Sequence, residues 1–404
     1  MRQYNKILFA SLGAAFEFYD FAIYSVFSVA ISSSFFNSNE TVNNLLVFLV
    51  YVLGYILRPI GAWIFGYIAD KRSRVFVLRF NMLLLFFSTL FLSFLPTIQS
   101  IGIVATFLFI SLRFLQSLAI GSEIPVSVVY IIEHYPNRQG FMASIVFCCL
   151  SAGIMMTSLV FFILSHFTNE SFIQTYGWRI GFFIGSCFTF ILFFLRQNIT
   201  DVDQKKNKQV DLSSTYLLIL KIIVGISLVA CIAMLTTQLY MFLPTYHHMY
   251  IRSSYDIANL LLVGSIIMTL SCLIGGFISD YVSKYKMMSV LILITLAVTP
   301  IFYNNMIYGG DILISFIVLS VVMGFFASTY NVIIANLFSL EYRCRGYGIV
   351  YNLGYLIFSA EIPMLTIFMI KETGFLLVPM SLIVLSGLIS FIGLLATSLL
   401  FKKA

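Results

Sequence analysis

Charge is what this sequence has least of. Only 10% of its 404 residues are Asp, Glu, Lys or Arg, against roughly 25% in an ordinary soluble domain. A water-solvated globule is therefore excluded, and little chain is left over for a soluble domain. Cysteine is also sparse. The six (Cys148, Cys149, Cys187, Cys231, Cys272 and Cys344) fall in or beside apolar runs, with no metal-ligand spacing, which argues against structural disulfides and a metal centre. Enzyme signatures are missing too: no phosphate-binding glycine loop ending in Lys and Ser or Thr, no HExxH and no GxSxG. An ATP-driven pump and the common hydrolases are thereby disfavoured, and no cofactor is expected.

What is present is apolar surface. Hydrophobic residues make up 60% of the chain and the mean hydropathy is +1.00, so lipid is the natural solvent. A bilayer crossing takes about 20 mostly apolar residues. Such stretches recur twelve times, at 7–34, 41–69, 75–96, 101–133, 140–166, 178–197, 214–244, 256–281, 287–306, 311–338, 345–370 and 374–401. The opening MRQYNK resembles the start of a signal peptide, but the run that follows is too long and carries Glu17 and Asp20, so it reads as a retained first helix.

The net charge of +7 raises nucleic acid as a partner, but the basic residues follow topology instead. With a cytoplasmic N-terminus, 17 of the 23 fall on cytoplasmic segments: Arg2, Lys6, Lys71, Arg72, Arg74, Arg79, Arg138, Arg196, Lys205, Lys206, Lys208, Lys284, Lys286, Arg343, Arg345, Lys402 and Lys403. Arg179, Arg252 and Lys371 lie outside. This asymmetry places both termini in the cytoplasm and makes the bilayer, not nucleic acid, the partner.

The longest polar stretch, RQNITDVDQKKNKQVDLSS, follows the sixth apolar run near mid-chain and reads as a linker over 198–213 between halves 1–197 and 214–404. The halves repeat in order: Gly66, Asp70 and Lys71 recur as Gly276, Asp280 and Lys284, and Glu133 and Gly140 recur as Glu341 and Gly346. Offsets of 210 (Asp70 to Asp280), 208 (Glu133 to Glu341) and 206 (Gly140 to Gly346) residues indicate two six-helix halves in parallel repeat. The expected fold class is an all-α polytopic membrane protein.

Ionisable groups inside a membrane helix are costly, so each is a candidate site. Glu17 and Asp20, in GAAFEFYDFAIY, sit three residues apart near the middle of the first helix. Two close carboxylates in low dielectric do not both ionise easily, which suits proton exchange; the plainer reading has them bonding neighbouring helices. In the fourth helix, Arg113 can pair with Glu17 or Asp20 or hold a substrate carboxylate, and Gln116 and Glu123 share a face. Glu361, ahead of Pro363, reads as a deep second-rank site, and Asn331 and Asn336 are weaker polar candidates. Lys221 reads as snorkelling to the interface, and Tyr240 and Tyr246 as interface aromatics, with His247 and His248 at the outer end in water. Arg58, Gly66, Asp70 and Arg74, with the second copy Gly276 and Asp280, suit a gate that breaks and reforms.

These stretches resemble, in order, the metabolite:proton symporters of the major facilitator superfamily. GAAFEFYDFAIY is similar to that family's first-helix box, RPIGAWIFGYIADKRSR (58–74) to its gate, and RFLQSLAIGSEIPVSVVYIIEHYPNRQG (113–140) to its fourth helix and following loop. YGWRIGFFIG, LPTY, GGFISDYVSK and EYRCRGYGIVYNLGYLIF match further on. The resemblance implies the major facilitator fold, alternating access, and proton symport of a small polar metabolite by a monomer. It carries cavity roles to Glu17, Asp20, Arg113 and Glu123, and gating roles to Arg58, Gly66, Asp70, Arg74, Gly276 and Asp280. Departures fall at the presumed cavity: Ala14 replaces the usual Asn, Ser122, Ile124 and Pro125 replace part of a Gly- and Trp-containing run, and the fifth helix lacks glutamines near its start. Substrate identity is therefore not transferred. A zwitterion is favoured over an organic acid, with a uniporter, an exporter or a non-transporting sensor as alternatives. The ending KKA, with no heptad-bearing tail, carries no expectation of osmotic activation through a coiled coil.

Overall fold

The computed structural model describes residues 2–37, 40–201, 215–251 and 257–400. Lys205, Lys206, Lys208, Arg252, Lys402, Lys403 and most of the expected linker lie outside the described residues. No strand occurs among the described residues, and twelve helices are long and apolar enough to cross a membrane. They are α1 (Lys6–Val26), α2 (Val52–Lys71), α3 (Arg74–Phe94), α4 (Ile103–His134), α5 (Pro136–Phe167), α6 (Glu170–Asn198), α7 (Tyr216–Met241), α8 (Asn259–Ser279), α9 (Lys284–Tyr308), α10 (Leu313–Leu337), α11 (Arg343–Thr373) and α12 (Val378–Ser398). Helices are the outcome because hydrocarbon supplies no hydrogen bonds, so each segment satisfies its own backbone. The breaks between helices are chemically marked. Ser73 caps α3 by accepting from the Phe76 N–H at 2.9 Å, and Gly309 and Gly374 close α9 and α11 in left-handed conformations.

Two expected helices are not continuous. The first, expected over 7–34, breaks at Phe27, where φ is −99° and ψ 17°, and resumes as a short helix Ser28–Phe35. The break seats the buried Phe27 ring over Gly177, where a side chain would collide with it. The eleventh loosens into a π-turn over Leu356–Ala360 before restarting at Ile362. The seventh likewise ends in a π-turn, Thr237–Met241. Such turns are rare and recur at functional positions.

By contacts the chain forms two compact units, Met1–Ile131 with Cys148–Asp203, and Ile132–Phe147 with Gln204–Ala404. In the first unit α3 packs on α6, α6 on α1, and α2 on α3. Small residues then bring α2 and α4 into backbone contact. A Cβ on Gly61 would strike the Leu118 carbonyl, and one on Gly121 the Arg58 carbonyl. In the second unit α10 packs on α8 and α9, while α7 packs on α10, α11 and α12. The six cysteines are all free.

Candidate functional site

The close approach of α2 and α4 decides what happens to the charges of α1. Arg58 reaches from α2 to Glu17, with Nη1 2.9 Å from Oε1, and its guanidinium lies 4.0 Å above the Tyr55 ring. Arg113 reaches from α4 to Asp20, its Nη1 donating to both carboxylate oxygens at 3.1 and 2.9 Å, and stacks 4.4 Å from the Tyr24 ring. Gln116 completes this group. Its carbonyl accepts from Arg113 at 2.8 Å, and its amide donates to Asp20 at 3.3 Å and to Thr89 at 2.7 Å. The two carboxylates expected to act together are thus shared between two arginines on different helices.

These groups surround a small, open cleft in the first unit. Asp20, Arg58, Arg113, Tyr55 and Ser117 supply its polar wall, and Phe21, Val50, Gly54 and Ile120 its apolar wall. The polar wall carries both signs of charge. Glu17 does not line the cleft; it sits behind Arg58, and its Oε2 is buried with no hydrogen-bond partner among the described residues.

Glu123, grouped with these residues on sequence grounds, belongs to a separate network. Its carboxylate pairs with Arg196, which is fully buried. Arg196 also donates to the carbonyls of Phe9 (3.1 Å), Leu78 (2.8 Å) and Ala10 (2.9 Å). Asn81 (3.4 Å) and Ser127 (3.5 Å) approach the carboxylate as well. Gly13 leaves the room: a Cβ there would overlap both Glu123 and Arg196. Arg196 was expected among the cytoplasmic linker cations; the structure corrects this, because its carbonyl partners and a carboxylate outweigh solvation at the helix end. The segment that follows is tied down by Arg79, which donates to the carbonyls of Arg196, Gln197 and Ile199, and by Asp201, which accepts from Ser73 and the Val75 N–H.

Of the expected gate residues, Arg58 lies within α2 at the cleft, and the others lie toward helix ends. Gly66 and Arg74 are buried, and Asp70 is half-buried. In the second unit Asp280 accepts from the Gly140 N–H at 2.7 Å and the Phe141 N–H at 3.1 Å, and lies 3.8 Å from Lys284. It therefore caps the start of α5 with negative charge, where a helix dipole favours it. Gly140 and Gly276 approach closely there, and Arg343 pairs with Glu133 at 3.3 Å.

Glu361 is exposed where the π-turn of α11 ends. The readings of Tyr240 and Tyr246 are corrected. Tyr246 is a core residue, fully buried with its hydroxyl on the Leu376 carbonyl at 2.7 Å, and Tyr240 bonds Ser320 at 2.8 Å. Asn331 is buried against the Tyr347 hydroxyl, while Asn336 bonds Gln139 and Lys221 is half-buried. Sequence reasoning missed Asn81, Thr89, Tyr24 and Tyr55, which carry no signal of their own among so many neutral and aromatic residues.

A twelve-helix chain with charges concentrated between its helices is the build of a membrane carrier, and the chain belongs to the Major Facilitator Superfamily, whose family model matches residues 10–361. It is thus a multi-pass membrane transporter of that family. It is 25% identical over 414 residues to a putative proline/betaine transporter of Staphylococcus aureus (strain MSSA476), covering 96% of this chain and 86% of that one. It is 32% identical over 209 residues to the alpha-ketoglutarate permease of Escherichia coli (strain K12), covering 51% of this chain but only 48% of the permease. The chain also matches the ectoine/proline transporter ProP of Corynebacterium glutamicum at 25% identity, covering 95% of this chain and 82% of that one. Among solved structures the fold matches the proton:xylose symporter XylE with a TM-score of 0.74 at 15% identity, covering 98% of this chain and 95% of that one. The outward conformation of FucP matches with a TM-score of 0.71 at 14% identity, covering 96% and 97%.

Proposed function

We propose that this protein is a secondary active carrier that brings a small zwitterionic or carboxylate metabolite inward together with protons. The observation that carries this reading is the pairing of two buried carboxylates with two arginines around one cleft. Charged groups inside a membrane are costly, and those that border a cleft mark a substrate or ion pathway. A zwitterion suits the cleft best, since its carboxylate finds Arg58 or Arg113 and its ammonium finds Asp20, leaving no charge unmatched. Relatives named as proline/betaine and ectoine/proline transporters, matched over nearly the whole chain, support that choice. Gln116 positions Arg113 and Asp20, and Glu123 with Arg196 holds α1, α3, α4 and α6 in register behind them.

Transport proceeds by alternating access of two six-helix halves, 1–197 and 214–404. Asp280 and its sequence counterpart Asp70 act on the balance between states through bonds that must break, with Gly66, Arg74 and Gly276 supporting that gate. The protein works as a monomer in a bacterial inner membrane with both termini in the cytoplasm, the arrangement its basic residues favour.

The test is uptake of radiolabelled proline, glycine betaine and 2-oxoglutarate into proteoliposomes holding the purified protein, with and without an inward proton gradient. Accumulation that needs the gradient supports symport and names the substrate class. Equilibration indifferent to the gradient makes the protein a facilitator and overturns the coupling.

A further inference from the structure

Resting on the carrier reading above, we infer that Glu17, and not Asp20, is the carboxylate that takes up and gives back the proton, with Arg58 as the switch that frees it. The two carboxylates lie three residues apart on α1 but differ in how they are served. Both oxygens of Asp20 accept hydrogen bonds, from Arg113 and Gln116, so its charged form is served on both sides. Glu17 has one oxygen on Arg58, while Oε2 is buried and unserved. A proton on Oε2 displaces nothing and removes a buried charge that has only half its bonds.

Position adds the coupling. Asp20 and Arg58 line the cleft, whereas Glu17 is behind Arg58 and out of a substrate's reach. A carboxylate entering the cleft competes for the Arg58 N–H groups. As those bonds shift to the substrate, Glu17 loses its ion pair with Arg58, with Asp20 on its own helix and Glu123 on α4 as the other charges facing it. A proton delivered from water then forms an O–H bond with a Glu17 oxygen lone pair, and the site gains one proton per substrate. When the substrate leaves, Arg58 returns and the O–H bond breaks, releasing that proton to water on the other side. Asp20, held by Arg113 and Gln116, faces the cleft where a substrate ammonium would sit.

The test is pH-difference infrared spectroscopy of the purified, reconstituted protein, reading the C=O band of a protonated carboxyl. It needs no transported substrate, so its failure is separable from failure of the zwitterion reading. The expected result is a titrating band that is lost in Glu17→Gln, displaced in frequency in Glu17→Asp, and kept in Asp20→Asn. The Glu17→Asp variant serves if Glu17→Gln does not fold. A band that survives in Glu17→Gln, stays unmoved in Glu17→Asp, or disappears only in Asp20→Asn overturns the assignment, as does its absence from the wild type. In the same vesicles Glu17→Gln should lose gradient-driven accumulation of glycine betaine or proline while keeping exchange of label across the membrane. Accumulation at the wild-type level also overturns the assignment.

Discussion

The two units of the chain solve the problem of buried polarity differently. In the first, charge meets charge: Glu17 with Arg58, Asp20 with Arg113, and Glu123 with Arg196, all with side chains nearly out of contact with solvent. In the second, the buried polar groups described are neutral. Thr237 bonds Ser359 at 2.7 Å, Gln238 bonds Thr366 at 2.8 Å, and Tyr347 bonds Asn331. Its ion pairs, Asp280 with Lys284 and Arg343 with Glu133, are partly exposed at helix ends. Neutral pairs stabilise modestly and persist in either protonation regime. Ion pairs are worth little net when intact but costly when one partner is lost, which makes them responsive to a proton or a charged solute.

That contrast can be broken by mutation. The largest effect belongs to Arg196→Met, which strands Glu123 as an unpaired buried charge and removes the donor to three carbonyls. We expect a loss of about 3–5 kcal/mol, read as a steep drop in thermal stability and in monodisperse yield. Adding Glu123→Leu should restore most of it; a double variant no better than the single would mean the pair is not the reason. Next comes Arg113→Ala, which should weaken binding of glycine betaine or proline at least about tenfold, measured by equilibrium binding. Undiminished affinity would remove Arg113 from the substrate site.

The neutral unit should respond less. Gln238→Leu should cost about 1–3 kcal/mol in a thermal melt whose midpoint does not vary with pH; a pH-dependent loss would blur the distinction between the units. Asp280→Asn weakens the acceptor at the start of α5 and should change the maximal uptake rate with little change in half-saturating concentration. A dominant shift in half-saturation would place Asp280 in binding rather than in the gate. Lys284→Ala should be nearly silent in stability, because a partly exposed pair at 3.8 Å contributes little.

Much of the architecture was readable because lipid enforces it. Twelve apolar runs of spanning length have few other fates, and carboxylates within them stand out. Partner choice was harder to read. Three residues along a helix advance about 4.5 Å and rotate about 300°, which is enough to hand Glu17 to α2 and Asp20 to α4. Which arginine takes which carboxylate depends on how closely Gly61 and Gly121 let the two helices approach. Arg196 was misplaced because an arginine ending a helix has the same local pattern whether it snorkels to water or turns inward. The exposure of Glu361 is not legible either, because apolar flanks do not say which way a side chain faces at a π-turn. The break at Phe27 depends on room left by Gly177, about 150 residues further along the chain.

During synthesis, Glu123 leaves the ribosome before its partner exists, since Arg196 follows it by 73 residues. The fourth helix must therefore be handed to the bilayer or held at the translocon with its carboxylate unmatched until the sixth arrives. When it does, one guanidinium joins α1, α3, α4 and α6, so the first six helices mature together rather than one by one. A nascent chain stopped short of residue 196 is a natural substrate for quality-control proteolysis, and one carried past Asp201 has everything its amino-terminal unit needs to close.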